Sequence, residues 1–310
     1  MSKQSICAFA PATIANLNVG FDILGMALST VGDKVEVTFN SSSENRILEI
    51  IDGPEIPTDT SKNCCSVVIQ KMQEKLGSTE GVDIRIKKGF PSGSGLGSSS
   101  ASSAAAAFAF NELMGNPFSL DELVLFASEG ERVACGSAHL DNVAPAILGG
   151  LVLVQNQNLI RLPIPESLFA VSFFPQVEVK TADSRNALSK EVSLEISSNQ
   201  SALTASFISS LYENDLVRFS ESMKDLIVEP QRKKFIPKFD EMKESAFENG
   251  ALAFGISGSG PSVFAFANSK NQADKIESEL KLVFIGSNIE TRSFTEMVHG
   301  NAGAQLSTFS

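Results

Sequence analysis

The chain has 310 residues, 43% of them hydrophobic and 20% charged, which is the balance of a folded globular protein and excludes a disordered or fibrous one. Acidic side chains outnumber basic ones 36 to 25, and the formal net charge of −11 repels a phosphate polyanion, which excludes nucleic acid as an expected partner. The start, MSKQSICAFAPATIAN, has no signal-peptide core and no apolar run approaches the ~18 residues of a membrane span, so a cytoplasmic protein without a membrane contact is expected.

In chain order, strands are expected at Ser5–Phe9, at the alternating Lys34–Phe39 and at Arg46–Ile51. Helical spacing of Val67, Val68, Met72 and Leu76 predicts a helix over Ser61–Leu76 that stops at Gly77, and Asp83–Lys87 then alternates as a strand. The Gly/Ser-rich turn Gly89–Ser100 leads into an alanine-rich helix, Ala101–Met114, and a further helix is expected from Leu120 to about Ala127. The apolar run Ile147–Val154, interrupted by Gly149 and Gly150, marks the expected change of domain, because a chain this long favours two domains or one large domain with a cleft. Beyond it come a strand at Phe169–Phe174, helical stretches over Ala202–Ile227 and Ile236–Glu248, strands at Ala251–Ile256 and Ser262–Ala267, and a last helix and strand near Gln272–Leu282 and Glu290–Phe294. Cys7, Cys64, Cys65 and Cys135 form no C-x-x-C pair and read as reduced, buried thiols.

The chemistry concentrates in Pro91-Ser-Gly-Ser-Gly-Leu-Gly-Ser-Ser-Ser-Ala101. Gly93, Gly95 and Gly97 lack the Cβ atoms that would keep phosphate oxygens off the backbone, successive N–H groups form an anion nest, and the following helix adds roughly half a positive charge. The loop fits neither G-x-x-x-x-G-K-[ST] nor G-x-G-x-x-G, and no lysine follows it. A divalent metal is the expected substitute, held by a hydroxyl such as Ser99 and a carboxylate from elsewhere. By itself, the loop could also be a flexible turn capping an Ala-rich helix.

Pro91–Ala101 resembles the central phosphate-binding motif of the GHMP kinases, the family of galactokinase, homoserine kinase, mevalonate kinase and phosphomevalonate kinase. Ala10–Asp22 (A-P-A-T-I-A-N-L-N-V-G-F-D) resembles that family's N-terminal motif, and Gly255–Pro261 (G-I-S-G-S-G-P) its C-terminal glycine motif. The form A-N-L-x-V-G-F-D and the segment His139–Gly150 (H-L-D-N-V-A-P-A-I-L-G-G) resemble the branch that phosphorylates L-homoserine, with Asn18 where that pattern usually has glycine. The resemblance implies an α+β, two-domain fold: an N-terminal ATP-binding domain, 1–155, like domain 2 of ribosomal protein S5, and a ferredoxin-like C-terminal domain, 156–310. It also implies an ATP- and Mg²⁺-dependent kinase that acts in the cytoplasm as a homodimer and makes O-phospho-L-homoserine for threonine biosynthesis. Other expectations are a GHMP kinase for mevalonate or a sugar, or a non-catalytic ATP-binding regulator of the same fold.

For the nucleotide, the resemblance implies Pro91, Ser92, Gly93, Ser94, Gly95, Leu96, Gly97, Ser98, Ser99, Ser100 and Ala101, together with Gly258, Ser259 and Gly260, and Asn63 near the base or ribose. For the metal it implies Ser99 and Glu131, with Glu129 the competing carboxylate. Substrate contacts fall on Asn16, near the hydroxyl, on Asp22, facing the ammonium, on His139, and on Arg185 and Arg232, clamping the carboxylate in fork geometry. Asn142 stands where several GHMP kinases carry an aspartate base, and an amide takes no proton, so transfer by alignment and charge stabilisation is expected. Asp141 is expected to point away from Asn142 in an extended segment and to be structural.

Overall fold

A computed structural model describes residues 4–53, 56–177, 179 and 181–309. The chain runs β1 Ser5–Ala15, β2 Leu24–Phe39, β3 Arg46–Ile51, α1 Cys64–Leu76, β4 Val82–Lys87, α2 Ser98–Leu113, α3 Leu120–Cys135, α4 Leu140–Leu148, β5 Leu151–Gln155 and β6 Asn158–Leu162. It continues through β7 Phe169–Pro175, α5 Thr181–Asn186, α6 Leu194–Glu213, α7 Leu216–Ser222, α8 Glu229–Arg232, α9 Phe239–Glu248, β8 Ala253–Ile256, β9 Val263–Ala267, α10 Lys270–Val283, β10 Thr291–Met297 and β11 Gln305–Leu306.

Among the described residues the α+β architecture has two sheets. Seven strands make the first, in the order β11-β1-β2-β4-β3, with β2 also pairing β5 and β5 pairing β6; four make the second, β10-β7-β9-β8. The sheet change falls between Leu162 and Phe169, and β11 returns to the first sheet by pairing antiparallel with β1. β1 and β2 are long, and their register shifts between Pro11 and Thr13. Proline has no N–H to give to a ladder, so a break there is favoured. Ser29 and Thr30 bulge out of β2 at the break. Glu296 of β10 receives their N–H and hydroxyl groups, the Thr30 N–H at 3.0 Å and the Ser29 hydroxyl at 2.9 Å, which ties the two sheets together.

The core has three parts. Val35, Val37, Ile84 and Ile86 of the first sheet pack on Val68, Met72 and Phe110 of α1 and α2. Val171, Phe173, Phe254 and Val263 of the second sheet pack on Met242 of α9 and on Ile276 and Leu280 of α10. A middle core joins Ile14, Leu24, Met26 and Phe90 to Phe207, Phe219, Phe264 and Phe266, so elements from the two halves of the chain share one apolar interior. The alanines of α2 let it lie close to β1 and β2, where Ala101 and Ala104–Ala107 are fully buried.

Several local readings differ from the structure: β2 begins at Leu24 and not at Lys34, α3 runs to Cys135 past the expected Ala127, and β6 and β11 were not expected. The strand at Ser5–Phe9 extends to Ala15, because Ala10-Pro-Ala-Thr-Ile-Ala is buried on both faces and shows no alternation. The stretch Ala202–Ile227 is two helices broken at Asn214, which adopts φ +54° and caps α6, and helix ends at Ser222. Asp141 and Asn142 sit in the first turn of a helix, α4, and not in an extended segment; Pro145 lies inside that helix, where it has no N–H to give to the Asp141 carbonyl. Cys7, Cys64 and Cys65 are free thiols, Cys7 and Cys65 buried and Cys64 half-buried, while the side chain of Cys135 lies outside what the structure describes.

Candidate active site

A cavity of about 810 Å³ opens between the start of α2 and the glycine turn that joins β8 to β9. The first N–H groups of any α-helix have no intrahelical acceptor. In α2 they belong to Ser98, Ser99 and Ser100, all of which line the cavity. Gly97 caps this end at φ +69°, and a Cβ there would lie 2.4 Å from the Thr13 hydroxyl and 2.8 Å from Asn142 Oδ1. Thr13 Oγ1 donates to Asn142 Oδ1 (2.8 Å) and Thr13 N–H to the Leu96 carbonyl (3.0 Å), so β1, the loop and α4 converge on one point.

The two glycine turns face each other. A Cβ on Gly95, at φ +83°, would stand 2.7 Å from the carbonyl oxygens of Gly260 and Ser257. Ser257 Oγ donates to the Gly95 carbonyl (2.8 Å) and Ser262 N–H to that of Ser94 (3.0 Å). Of the expected nucleotide residues, Ser92, Gly93, Gly95, Gly97–Ser100, Asn63, Gly258 and Ser259 line the cavity. Pro91, Ser94, Leu96, Ala101 and Gly260 stand behind it, with Leu96 and Ala101 in the middle core. Asn63 caps α1, its Oδ1 accepting from Cys65 N–H (3.0 Å) and its Nδ2 donating to the Pro57 carbonyl (2.8 Å).

The N-terminal motif turns at Asn16, Leu17, Asn18 and Asp22, all with positive φ. Asn16 Nδ2 donates to the Gly258 carbonyl (2.9 Å) and its Oδ1 accepts from Asp22 N–H (3.0 Å), which fastens this turn to the C-terminal glycine turn. Asn18, at φ +60° in place of glycine, is buried and donates to the carbonyls of Met223 and Phe254, both at 2.9 Å. These bonds offset its backbone strain.

Arg185 of α5 grips Asp22 with two bonds, 2.5 and 2.9 Å. Arg232 of α8, 3% exposed, donates to the Gly258 carbonyl (2.9 Å) and to that of Ser184 (3.2 Å). The two guanidinium carbons lie 5.1 Å from the centre of the Phe21 ring. Burial and the charge of Arg185 push the Arg232 guanidinium down to about 10, the response of two cations held together with one of them buried. Such a pair favours an incoming carboxylate. His139 ends the run before α4, with Nε2 2.8 Å from the Ser137 hydroxyl, and burial followed by Arg185 keeps its imidazole below the usual range.

Glu131 on α3 is 3% exposed and lines the cavity, whereas Glu129 pairs with Arg132 at the surface. Burial raises the Glu131 carboxyl above the usual range against the pull of the Ser99 and Ser100 hydroxyls, and its Oε1 has no hydrogen-bond partner. An orphaned, buried carboxylate oxygen beside a helix start fits a hard divalent cation that takes its remaining ligands from phosphate oxygens and water, as Mg²⁺ does. Among the described residues no cluster of three His, Cys, Asp or Glu side chains could form a complete cage.

Lys88, which the sequence analysis did not single out, and Asp141, which it took as structural, also line the cavity. Lys88 is buried with Asp33 as its ion pair and donates to the Ser98 carbonyl (3.0 Å) and the Ser102 hydroxyl (2.8 Å), so it anchors the first turn of α2 to β2. Its signal was a lysine immediately ahead of the loop, between the apolar Ile86 and Phe90. Asp141, 2% exposed, is the second. Its only mark in the sequence is adjacency to Asn142.

Residues 63–150 match the family model for the N-terminal domain of GHMP kinases, and residues 207–286 the model for their C-terminal domain. The chain is 40% identical over 295 residues to the homoserine kinase of Chlorobium phaeobacteroides (strain BS1), covering 91% of this chain and 92% of that one. It is likewise 40% identical to the homoserine kinase of Methanococcus maripaludis (strain C5 / ATCC BAA-1333), covering 92% and 94%. The crystal structure of homoserine kinase from Cytophaga hutchinsonii superposes with a TM-score of 0.95 at 41% identity, over 99% of this chain and 98% of that one.

Proposed function

This chain belongs to the GHMP kinases, and from that membership and the layout of its cavity we infer that it transfers the terminal phosphoryl group of ATP to the side-chain hydroxyl of L-homoserine. The observation that supports a carboxylate substrate is the pair Arg185 and Arg232 about Phe21, both lining the cavity, and the likeness to homoserine kinases favours L-homoserine among carboxylates. A neutral sugar has no use for two such cations.

ATP lays its phosphates along Gly93–Ser100 and the α2 N–H groups, under the Gly258–Ser259 turn, with its base toward Asn63 and the apolar Ile56 and Pro57. Glu131 and Ser99 hold Mg²⁺, which when bound neutralises charge on the phosphate oxygens. Arg185 and Arg232 bind the amino-acid carboxylate, and His139 borders the same end. Asn142, kept in place by Thr13, orients the hydroxyl without taking its proton. A loose phosphoryl-transfer transition state needs alignment and charge stabilisation more than early deprotonation, so the proton leaves late, to phosphate or water. The enzyme works as a cytoplasmic homodimer; the first point is supported by the family resemblance and by the absence, among the described residues, of a helix long and apolar enough to cross a membrane.

The test is ADP release with Mg-ATP and a panel of L-homoserine, mevalonate, galactose, L-serine and L-threonine, with the product identified by phosphorus NMR. The expected outcome is turnover dominated by L-homoserine and a phosphomonoester on its terminal oxygen. Dominant turnover of mevalonate or galactose would overturn the substrate, and ATP binding without turnover would overturn the catalytic reading.

A further inference from the structure

Ser184, the residue before Arg185 on α5, is fully buried and works in two directions. Its hydroxyl donates to the Ser259 carbonyl (3.0 Å), and its own carbonyl accepts from Arg232 Nε (3.2 Å). The same guanidinium reaches the Gly258 carbonyl through Nη1 (2.9 Å), and Asn16 Nδ2 donates to that carbonyl as well (2.9 Å). Just beyond α5, Ser189 N–H donates to Gln231 Oε1 (2.7 Å), which ties α5 to α8 beside Arg232. Three side chains at the amino-acid end of the cavity, Ser184, Arg232 and Asn16, therefore hold the Gly258–Ser259 turn, and Ser257 Oγ fastens the same turn to the phosphate loop at the Gly95 carbonyl (2.8 Å). Gly258 and Gly260 stand at φ +56° and +77° and have no side chains to pack, so these hydrogen bonds set where the turn lies.

We propose that Ser184 is a positioning residue that couples the two halves of the cavity: through the Gly258–Ser259 turn it makes the nucleotide and the amino acid each bind more tightly when the other is in place, a role that rests on the reading of this cavity as the site of ATP and L-homoserine. The sign follows from what each ligand fixes. A carboxylate on Arg232 relieves the repulsion from Arg185 and holds the guanidinium still, and with it the carbonyls of Gly258 and Ser184 on which its other N–H groups rest. The Ser184 hydroxyl carries that order on to Ser259. A triphosphate lying under the turn orders the same backbone. Whichever ligand binds first meets the cost of fixing the turn, and the second is spared it. Repulsion between the substrate carboxylate and the phosphates works the other way, but the amino acid is a zwitterion whose ammonium offsets its carboxylate, so the ordering prevails.

The experiment titrates the non-hydrolysable analogue Mg-AMP-PNP by calorimetry into the wild-type chain with and without saturating L-homoserine, and follows amide hydrogen exchange over residues 254–262. Expected are an AMP-PNP Kd about tenfold lower with the amino acid present, and slower exchange of the turn with both ligands than with either alone. In Ser184→Ala each ligand alone binds within about twofold of the wild type, and the tenfold factor falls to about threefold or less, since one hydrogen bond is worth a few-fold in an equilibrium. Arg232→Lys keeps the charge but cannot span two carbonyls and a carboxylate, so L-homoserine binds more weakly and the factor approaches one. A wild-type factor of one, or AMP-PNP weakened by L-homoserine, would overturn the inference whether or not the variants fold. So would the full factor retained in S184A or in R232K, because either places the coupling elsewhere. A wild type that binds AMP-PNP but takes up no L-homoserine would fail the proposed function itself, a separate result.

Discussion

At the scale of single residues, the site depends on groups held in unfavourable states until ligand arrives. Glu131 is the clearest. Its carboxyl sits above its ordinary value in the fold, so the native state binds a proton that the unfolded chain has already released, and the wild type loses stability as the pH rises through that window. Glu131→Gln removes the charge at constant shape. In metal-free buffer this variant should melt higher than the wild type near neutral pH, and the gap should close as the pH drops below the usual carboxylate range; calorimetry at several pH values checks it. With Mg-ATP the order reverses in function, with kcat/KM lower by roughly 10²-fold. Asn18 shows the opposite economy: a side chain can occupy a left-handed position usually given to glycine when two buried carbonyls accept its amide protons.

At the scale of elements, the two glycine turns form a joint whose members are not equivalent. Gly93 has open space around its missing Cβ and carries only the left-handed penalty, so Gly93→Ala should cost about 1–2 kcal/mol. Gly95 would in addition drive a methyl into the Gly260 and Ser257 carbonyls, and Gly95→Ala should cost roughly 1–3 kcal/mol more, with a larger rise in the ATP KM. Urea unfolding and ATP saturation curves on both variants check the order. This joint was legible in the sequence as two glycine motifs, because glycine at such density has few structural uses away from ligands. The helix α4 was not. His139-Leu-Asp-Asn has no side-chain N-cap bond and Pro145 follows closely, so nothing local announces a helix, and the sequence placed Asp141 on the wrong side of the problem. Lys88 was equally hidden. Its partner Asp33 lies 55 residues earlier, and only strand pairing of β2 with β4 brings the two together.

At the scale of the whole molecule, the middle core decides how the protein unfolds. Phe219 of α7 packs 5.5 Å from Phe207 and 5.7 Å from Phe266, between centroids, in the same cluster as Ile14, Leu24 and Phe90 of the first half. Two sheets that share an interior should melt together. A single calorimetric transition is expected, and Phe219→Ala should lower it as one transition, at a cost of about 3–5 kcal/mol, without uncovering a second. Most of the strands and helices were readable from hydrophobic patterning and the α+β two-domain fold from the resemblance of the motifs, but this shared core was not, since its members are scattered across more than 250 residues and meet only after both sheets exist. The pairing of β11 with β1 carries a consequence for biosynthesis. Ala8 and Phe9 in the first strand find their ladder partners at Leu306 and Gln305, and Ser307 N–H closes onto the Cys7 carbonyl at 2.9 Å. The edge of β1 at Ala8 and Phe9 therefore stays unpaired until nearly 300 further residues have been added, so a nascent chain stalled short of Gln305 presents bare N–H and C=O groups that the finished chain keeps covered.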